Sequence, residues 1–307
     1  MNMYDLAIIG GGPAGGTAAI YAARKKLKTV LITKDFGGQS TVTPEIQNWL
    51  GIKSISGIKF GKMIKEHVES YSGRSLVIKT GESITSIEEK EGFLIKSQKE
   101  EYSAYSILVC SGGQRRRLLV KGAEEFENKG ITYCATCDAP MFADQDVAVI
   151  GGGNSGFETA MQLIPYAKTI TIIHKNENFR ADPITVEEVT KDQKVKTIKN
   201  AELKEITGDK MVNGLIYKDK DTDKEHKLEL TGIFVEIGMI PSTEFVKDLV
   251  ELDQNGYINV DHKNQRTSHN RIWAAGDCIN YPYRQNLIAA GMGAAAVEDI
   301  YNKIKLG

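Results

Sequence analysis

Cys134-Ala135-Thr136-Cys137-Asp138 places two thiols three residues apart and an acid directly after the second. Three chemistries use that spacing. A structural zinc site needs a second Cys or His pair, and neither Cys110 nor Cys278 supplies one. Two inert core thiols are the plainest alternative, but a stretch that also holds Thr136 and Asp138 is poorly suited to burial. A redox dithiol fits best, because the close spacing closes a small disulfide ring and each thiol tunes the other. Asp138 then has two readings, a helix N-terminal aspartate or a general acid that protonates the thiolate released when a disulfide is reduced. Cys110 and Cys278 stand alone at the ends of apolar runs, the usual setting of small core hydrophobes.

Glycines mark a second chemistry, and they do so twice. Gly10-x-Gly12-x-x-Gly15 follows the apolar run Tyr4–Ile9 and precedes a helical stretch, Pro13–Lys26; Leu27–Thr33 is the next β-type run. Gly151-x-Gly153-x-x-Gly156 lies between Asp146–Ile150 and the helical stretch Asn154–Ile164, and Thr169–Ile173 follows. In this strand–turn–helix context such glycines permit the tight turn, the approach of a pyrophosphate and close helix packing. The helix N-terminus offers free N–H groups to the phosphates. One motif alone could simply close a βα junction. Two in matched units indicate two dinucleotide sites, one for a flavin and one for a nicotinamide, and a flavin couples two-electron hydride transfer to a disulfide.

The residue closing the second strand of each unit selects the nucleotide. Thr33-Lys34-Asp35 puts no acid at the first strand's end, leaving Asp35 as a displaced candidate. His174-Lys175, with Arg180 beyond, offers cations that suit the 2′-phosphate of NADPH; a solvated basic loop is the alternative.

The elements that must position these groups form one arrangement repeated. After each βαβ unit come short runs in the manner of an antiparallel meander: Glu82–Glu88, Phe93–Ser97 and Tyr102–Tyr105, then Lys194–Lys199, Leu203–Thr207, Gly214–Lys218 and Lys227–Leu230. Each half closes on an apolar strand ending in glycine, Ile107–Gly113 and Ile233–Gly238. The remaining Met239–Gly307, with a strand at Ile272–Ala275 and a helix at Ala289–Lys303, is too short for its own core and must pack on one of the units. The fold class expected is α/β: two Rossmann-like three-layer (ββα) dinucleotide-binding domains, the second inserted into the first.

Composition sets the limits. A 307-residue chain with 41% hydrophobic and 26% charged residues has material for two cored domains. A formal net charge of -1 offers no global field for nucleic acid or an anionic membrane. Arg115-Arg116-Arg117 reads as a solvated loop or hinge. No apolar stretch reaches membrane-helix length, and Met1–Gly12 lacks signal-peptide features, so a cytoplasmic protein is expected.

Together these motifs resemble the low-molecular-weight thioredoxin reductase family, in order and spacing, over nearly the whole chain. The resemblance rests on Gly10–Gly15, Gly37-Gly38-Gln39, Cys134–Asp138 within YCATCD, Gly151–Gly156, Ala275-Gly276-Asp277, Arg284-Gln285 and Ala289-Ala290-Gly291. GGGNSGFETA and AAGDCINYPYRQ are also similar to the reductase component of the alkyl hydroperoxide reductase system. The resemblance implies a discontinuous FAD domain, 1–113 with 242–307, and an inserted NAD(P)H domain, 114–241, that carries the cysteines. FAD contacts would come from Gly10, Gly12, Pro13, Ala14, Gly15, Gly38, Gln39, Asn48, Gly276, Asp277, Arg284, Gln285 and Ala289. NAD(P)H contacts would come from Gly151, Gly153, Asn154, Ser155, Gly156, His174, Lys175 and Arg180.

It further implies that Cys137 faces the flavin while Cys134 attacks the disulfide of a thioredoxin-like protein, and that the enzyme is a homodimer. Its two domains would rotate about linkers near Gly112-Gly113 and Ile240-Pro241. The chain departs from the family at His174-Lys175-Asn176, where NADPH-dependent members carry His-Arg-Arg, at Gly156, where they have alanine, and at the Gly112-Gly113-Gln114 hinge. Such departures keep NADH, or ferredoxin, open as donor and a peroxiredoxin- or glutaredoxin-type protein open as partner. A non-enzymatic redox sensor is the reading from a different class.

Overall fold

The computed structural model describes residues 3–43, 46–73 and 75–305. The chain divides into two compact units, Met1–Gln114 with Ile240–Gly307, and Arg115–Met239. The sequence reading put these crossings at 113/114 and 241/242, one and two residues from where the contacts divide the chain.

In the first unit, β1 (Tyr4–Gly11) runs into α1 (Pro13–Arg24), with proline at the first helical position, where its missing N–H costs nothing. β2 (Thr29–Phe36), a 3-10 turn at Gly38–Val42, α2 (Gly57–Glu69) and β3 (Leu76–Thr80) follow. β4 (Ile84–Glu89) and β5 (Phe93–Ser97) form a hairpin that continues into β6 (Glu101–Val109). The sheet order is β3-β2-β1-β6-β5-β4. Here one expectation is corrected. Tyr102–Tyr105 and Ile107–Gly113, read as separate strands, are largely one: β6 pairs antiparallel with β5 and parallel with β1 along a single run. The turn residue that separate strands would require is missing from Ser106-Ile107, both of which are buried.

The crossings lie in β7 (Gly113–Arg115) and β16 (Met239–Pro241), which pair with each other. Between them, β8 (Ile131–Thr132), α3 (Ala135–Asp138), β9 (Asp146–Ile150), α4 (Asn154–Leu163), β10 (Thr169–Ile173), α5 (Pro183–Thr190) and β11 (Val195–Ile198) lead to the meander. The meander is β12 (Ala201–Gly208), β13 (Val212–Asp219) and β14 (Glu225–Glu229), and β15 (Gly232–Val235) returns to the main sheet, ordered β11-β10-β9-β15-β8. Lys194–Lys199, expected in the meander, instead gives β11, the parallel edge strand beside β10. It ladders with Ile170–Ile173, whose buried edge outcompetes a solvent-facing hairpin.

β9 explains the three layers. Val147 and Val149 face one core with Phe157 and Leu163 of α4, while Ala148 and Ile150 face the other with Ile206 and Leu215 of the meander. A parallel strand covered on both faces reads as an unbroken apolar run, as DVAVI does. The C-terminal segment rejoins the first unit: β17 (Ile272–Ala274) pairs with β6, and α6 (Asn286–Lys305) packs on α1. Small residues let those helices approach closely; a Cβ on Gly293 would stand 2.2 Å from the Ala14 carbonyl oxygen. Among the described residues no helix is long and apolar enough to cross a membrane.

Candidate redox and dinucleotide sites

Cys134 and Cys137 are joined as a disulfide, with their Cα atoms 5.3 Å apart. Cys134 caps the one-turn α3, and its carbonyl accepts from the amides of Cys137 (3.2 Å) and Asp138 (3.0 Å). That single turn is what brings the two sulfurs within bonding reach. Both cysteines are half-buried, while Asp138 is 4% exposed. The buried Thr132 hydroxyl donates to Asp138 Oδ2, and its own oxygen accepts from the Cys134 amide at 3.5 Å. Thr132 therefore links the acid to the first cysteine. The sequence reading missed it, because it belongs to a two-residue strand with no motif of its own.

Cys110 and Cys278, isolated in sequence, lie close enough in space for one thiol to raise the pKa of the other. Both are free and buried. Burial pushes the Cys110 thiol well up and that of Cys278 to about 11, so neither is a nucleophile near neutrality.

In the first unit, α1 meets β1 so tightly that a Cβ on Gly15 would come within 1.8 Å of the Gly10 carbonyl oxygen. Gly12, by contrast, faces open space. Gly38 stands 3.7 Å from the Gly12 Cα, measured from its would-be Cβ, and Gly276 lies against Ala14 and Ala289. The fold thus brings Gly10, Gly12, Pro13, Ala14, Gly15, Gly38, Gly276, Asp277 and Ala289 to one end of the sheet. Gln39 lies in the exposed turn after Gly38. Exposed Asn48 donates to Gln285 Oε1 at 3.0 Å, and Ser40 donates to Asn286 Oδ1 at 2.7 Å, tying the Gly38 turn to the start of α6. Arg284 stacks on Tyr257, 4.7 Å from the ring centroid, and its Nε is buried without a hydrogen-bond partner among the described residues. An orphaned buried guanidinium N–H, next in sequence to the Gln285-Asn286 pair that is tied to Asn48 and to the Gly38 turn, fits a bound flavin dinucleotide. Asp35 is exposed within β2, whose pairing runs on to Phe36.

The second unit repeats the turn. A Cβ on Gly156 would meet the Gly151 carbonyl oxygen at 2.0 Å, and Gly153 faces open space. The exposed Asn154 and Ser155 begin α4, with Asn154 Oδ1 accepting from the Asp182 amide at 2.8 Å. The open Gly153 face at a helix N-terminus fits a pyrophosphate. His174 differs from the expected cation. It is 6% exposed, packed against Gly152 and Phe179, and its Nε2–H donates to the Asn178 carbonyl at 3.1 Å. Burial first, and then neighbouring cations, lower its pKa, so it is neutral at pH 7. Lys175 and Arg180 remain exposed. Two further cations join them. Lys199 Nζ sits 4.6 Å over the Phe179 ring, and Lys220 Nζ donates to the Lys175 carbonyl at 2.7 Å. They were illegible in sequence because the edge of β11 and the end of β13 deliver them.

The family described as pyridine nucleotide-disulphide oxidoreductase matches residues 4–295. The crystal structure of thioredoxin reductase from Streptococcus pyogenes MGAS5005 superposes with a TM-score of 0.91 at 34% identity, covering 99% of each chain. The "NADH dehydrogenase" of Ferdinandcohnia aciditolerans is 39% identical over 298 residues, 95% of this chain and 56% of that one. A component of the alkyl hydroperoxide reductase of Pseudomonas putida is 38% identical over 297 residues, 95% of this chain and 56% of that one. The chain therefore spans a little over half the length of these curated relatives. With two glycine turns on paired α/β units and a disulfide between them in sequence, the chain belongs to the pyridine nucleotide-disulphide oxidoreductase family.

Proposed function

We propose that this protein is a thioredoxin reductase-like flavoenzyme that passes electrons from NADPH through FAD to the Cys134–Cys137 disulfide and on to a thioredoxin-like protein. The observation that carries the reading is the disulfide itself, held by a one-turn helix beside a buried acid in a unit with its own glycine turn. FAD is assigned to the unit containing Gly10–Gly15, Asp277 and Arg284, and the nicotinamide dinucleotide to the unit containing Gly151–Gly156. The bound flavin would supply the two electrons that a hydride donor delivers and a disulfide accepts.

The protein's part is then thiol chemistry. Two-electron reduction breaks the Cys134–Cys137 bond. The Cys134 thiolate attacks the partner disulfide, forming a mixed disulfide and expelling one partner thiolate. Cys137 attacks Cys134, restoring the internal bond and releasing the second partner thiolate. Asp138, oriented by Thr132, delivers the proton that keeps an expelled thiolate from reversing the exchange. Lys175, Arg180, Lys199 and Lys220 favour a 2′-phosphate. Chemistry of this kind suits a reducing cytoplasm, and the homodimer is proposed on the family resemblance alone.

A second reading takes NADH as donor and a peroxiredoxin-type protein as acceptor. It is favoured by the neutrality of His174 and by the relatives' printed names. Anaerobic titration of the FAD-loaded protein with NADPH, NADH and reduced ferredoxin separates the donors by which bleaches the flavin at turnover speed. Bleaching by NADPH, with thioredoxin reduction lost in Cys134→Ser, is expected. Bleaching by NADH alone overturns the donor assignment, and retained disulfide reduction in Cys134→Ser overturns the thiol's role.

A further inference from the structure

Glu236 takes no part in the chemistry above, yet it stands where that chemistry loads its nucleotide. It follows β15 directly, and its amide donates to the Ile150 carbonyl at 2.8 Å, extending the β9–β15 ladder by one residue. Its own carbonyl lies against the glycine turn; a Cβ on Gly151 would meet that oxygen at 2.1 Å. In the order β11-β10-β9-β15-β8, the chain leaves β9 towards β10 on one side, while β15 and β8 lie on the other. The carboxyl ends of β9 and β15 therefore flank the switch-point crevice where open α/β sheets bind ligands. The Glu236 side chain turns to α4, and its Oε1 accepts from the buried Thr159 hydroxyl at 3.0 Å.

The groups facing this carboxyl are few. Arg115, on β7, favours the ionised form, as does the Thr159 hydroxyl; Glu158, also on α4, opposes it. Burial, with Glu158 acting in the same direction, outweighs Arg115 and Thr159 and raises the carboxyl to about 7, so that both protonation states are populated at neutrality. A dinucleotide entering this crevice brings two phosphate charges to the Gly151–Gly156 turn and displaces the water that solvates a carboxylate. Both effects act against ionised Glu236.

We propose that Glu236 is a positioning residue that must hold its proton for the nicotinamide dinucleotide to bind, so that loading the Gly151–Gly156 turn draws a proton from solvent onto its carboxylate wherever that carboxylate is ionised. The inference rests on the assignment of this turn to the nicotinamide nucleotide. It gives the enzyme an intrinsic coupling between nucleotide affinity and pH in the range around neutrality.

The test is calorimetric titration of the FAD-loaded full chain with NAD+ and with NADP+, from about pH 6 to about pH 8.5, in buffers of different ionisation enthalpy. If only the protonated form binds, Kd weakens about thirtyfold across that range, with about half a proton taken up per site at pH 7. Glu236→Gln should bind with a flat Kd and lose that uptake, leaving only whatever the 2′-phosphate of NADP+ contributes. Thr159→Val removes a donor that favours the ionised form, so its midpoint should move to higher pH. This variant keeps the question answerable should Glu236→Gln fold poorly. A flat wild-type Kd without proton uptake overturns the inference, as does wild-type pH dependence in Glu236→Gln or an unmoved midpoint in Thr159→Val. Failure of both nucleotides to bind at any pH instead removes the assignment of the turn, and this inference with it.

Discussion

Replacing Gly156 with alanine, the residue NADPH-dependent relatives carry there, is expected to damage this protein. The new Cβ would stand 2.0 Å from the Gly151 carbonyl oxygen, whereas an ordinary carbon–oxygen contact needs about 3.2 Å. Because that oxygen belongs to the backbone, no side chain can rotate away; α4 must back off β9 by about 1 Å. The move loosens Phe157 and Leu163, both fully buried against Val147 and Val149. Overpacking of this kind costs about 1 to 3 kcal/mol, or about 3 to 10 °C in the melting of a domain this size. The same shift carries the N–H groups of Asn154 and Ser155 out of register with a pyrophosphate, and misplacement by about 1 Å costs up to about a hundredfold. Gly153→Ala is the control that separates the two effects. Nothing lies within 4 Å of its Cβ, so stability should hold while the methyl occupies the face assigned to the nucleotide. Thermal melting and nucleotide titration of both variants decide the matter. Wild-type melting and affinity in Gly156→Ala would refute the steric reasoning, and wild-type affinity in Gly153→Ala would refute the assignment of that face.

Thr132→Val leaves a buried Asp138 oxygen without its hydroxyl donor, a loss of about 1 to 3 kcal/mol. Disulfide turnover should slow about tenfold while flavin bleaching is unchanged, and Thr132→Ser should restore it, read by separate half-reaction kinetics. Lys199→Ala and Lys220→Ala should each raise KM for NADPH about three- to tenfold and leave KM for NADH unmoved, since exposed cations contribute modestly to phosphate affinity. An unchanged ratio removes them from the nucleotide loop. The lowered pKa of His174 means that, below its ordinary value of 6.5, the unfolded chain binds a proton the folded chain refuses. Melting temperature should therefore fall as pH drops from 7 towards 5.5, and less steeply in His174→Gln.

How much of this was readable in advance depends on where each property is stored. The glycine turns and the cysteine pair were legible because their chemistry is local. Gly156 must be glycine for reasons of distance within one βα junction, Gly151 adopts a positive φ of 132° that favours glycine, and Cys134 and Cys137 need only a single helical turn between them. The fold class followed from the same turns, since strand–glycine–helix–strand repeated twice leaves few other architectures. What escaped is set by partners distant in the chain. Lys194–Lys199 carries no mark that distinguishes a meander strand from the edge of a parallel sheet; only its pairing with the buried β10 decides it. That decision then delivers Lys199 to the Phe179 ring, in the loop proposed for the nucleotide. His174 looked like a cation because its type and place are those of one, but Gly152 and Phe179 close over it and strip the charge.

Glu236 follows the same logic in the opposite direction. In sequence it is one acid among 40 acidic residues at the end of an apolar strand. Its place in the β9–β15 crevice comes from β15 pairing with β9 across more than eighty residues of chain, and its half-populated proton comes from the burial that this pairing imposes. On the proposed assignment, motifs locate the dinucleotide, while the charge it would meet is set by residues outside any motif: the cations Lys199 and Lys220, a neutral His174 packed on Gly152, and Glu236 at the end of β15. Donor preference and pH response in this family should accordingly vary with β11, β13 and the end of β15 even where both glycine turns are unchanged.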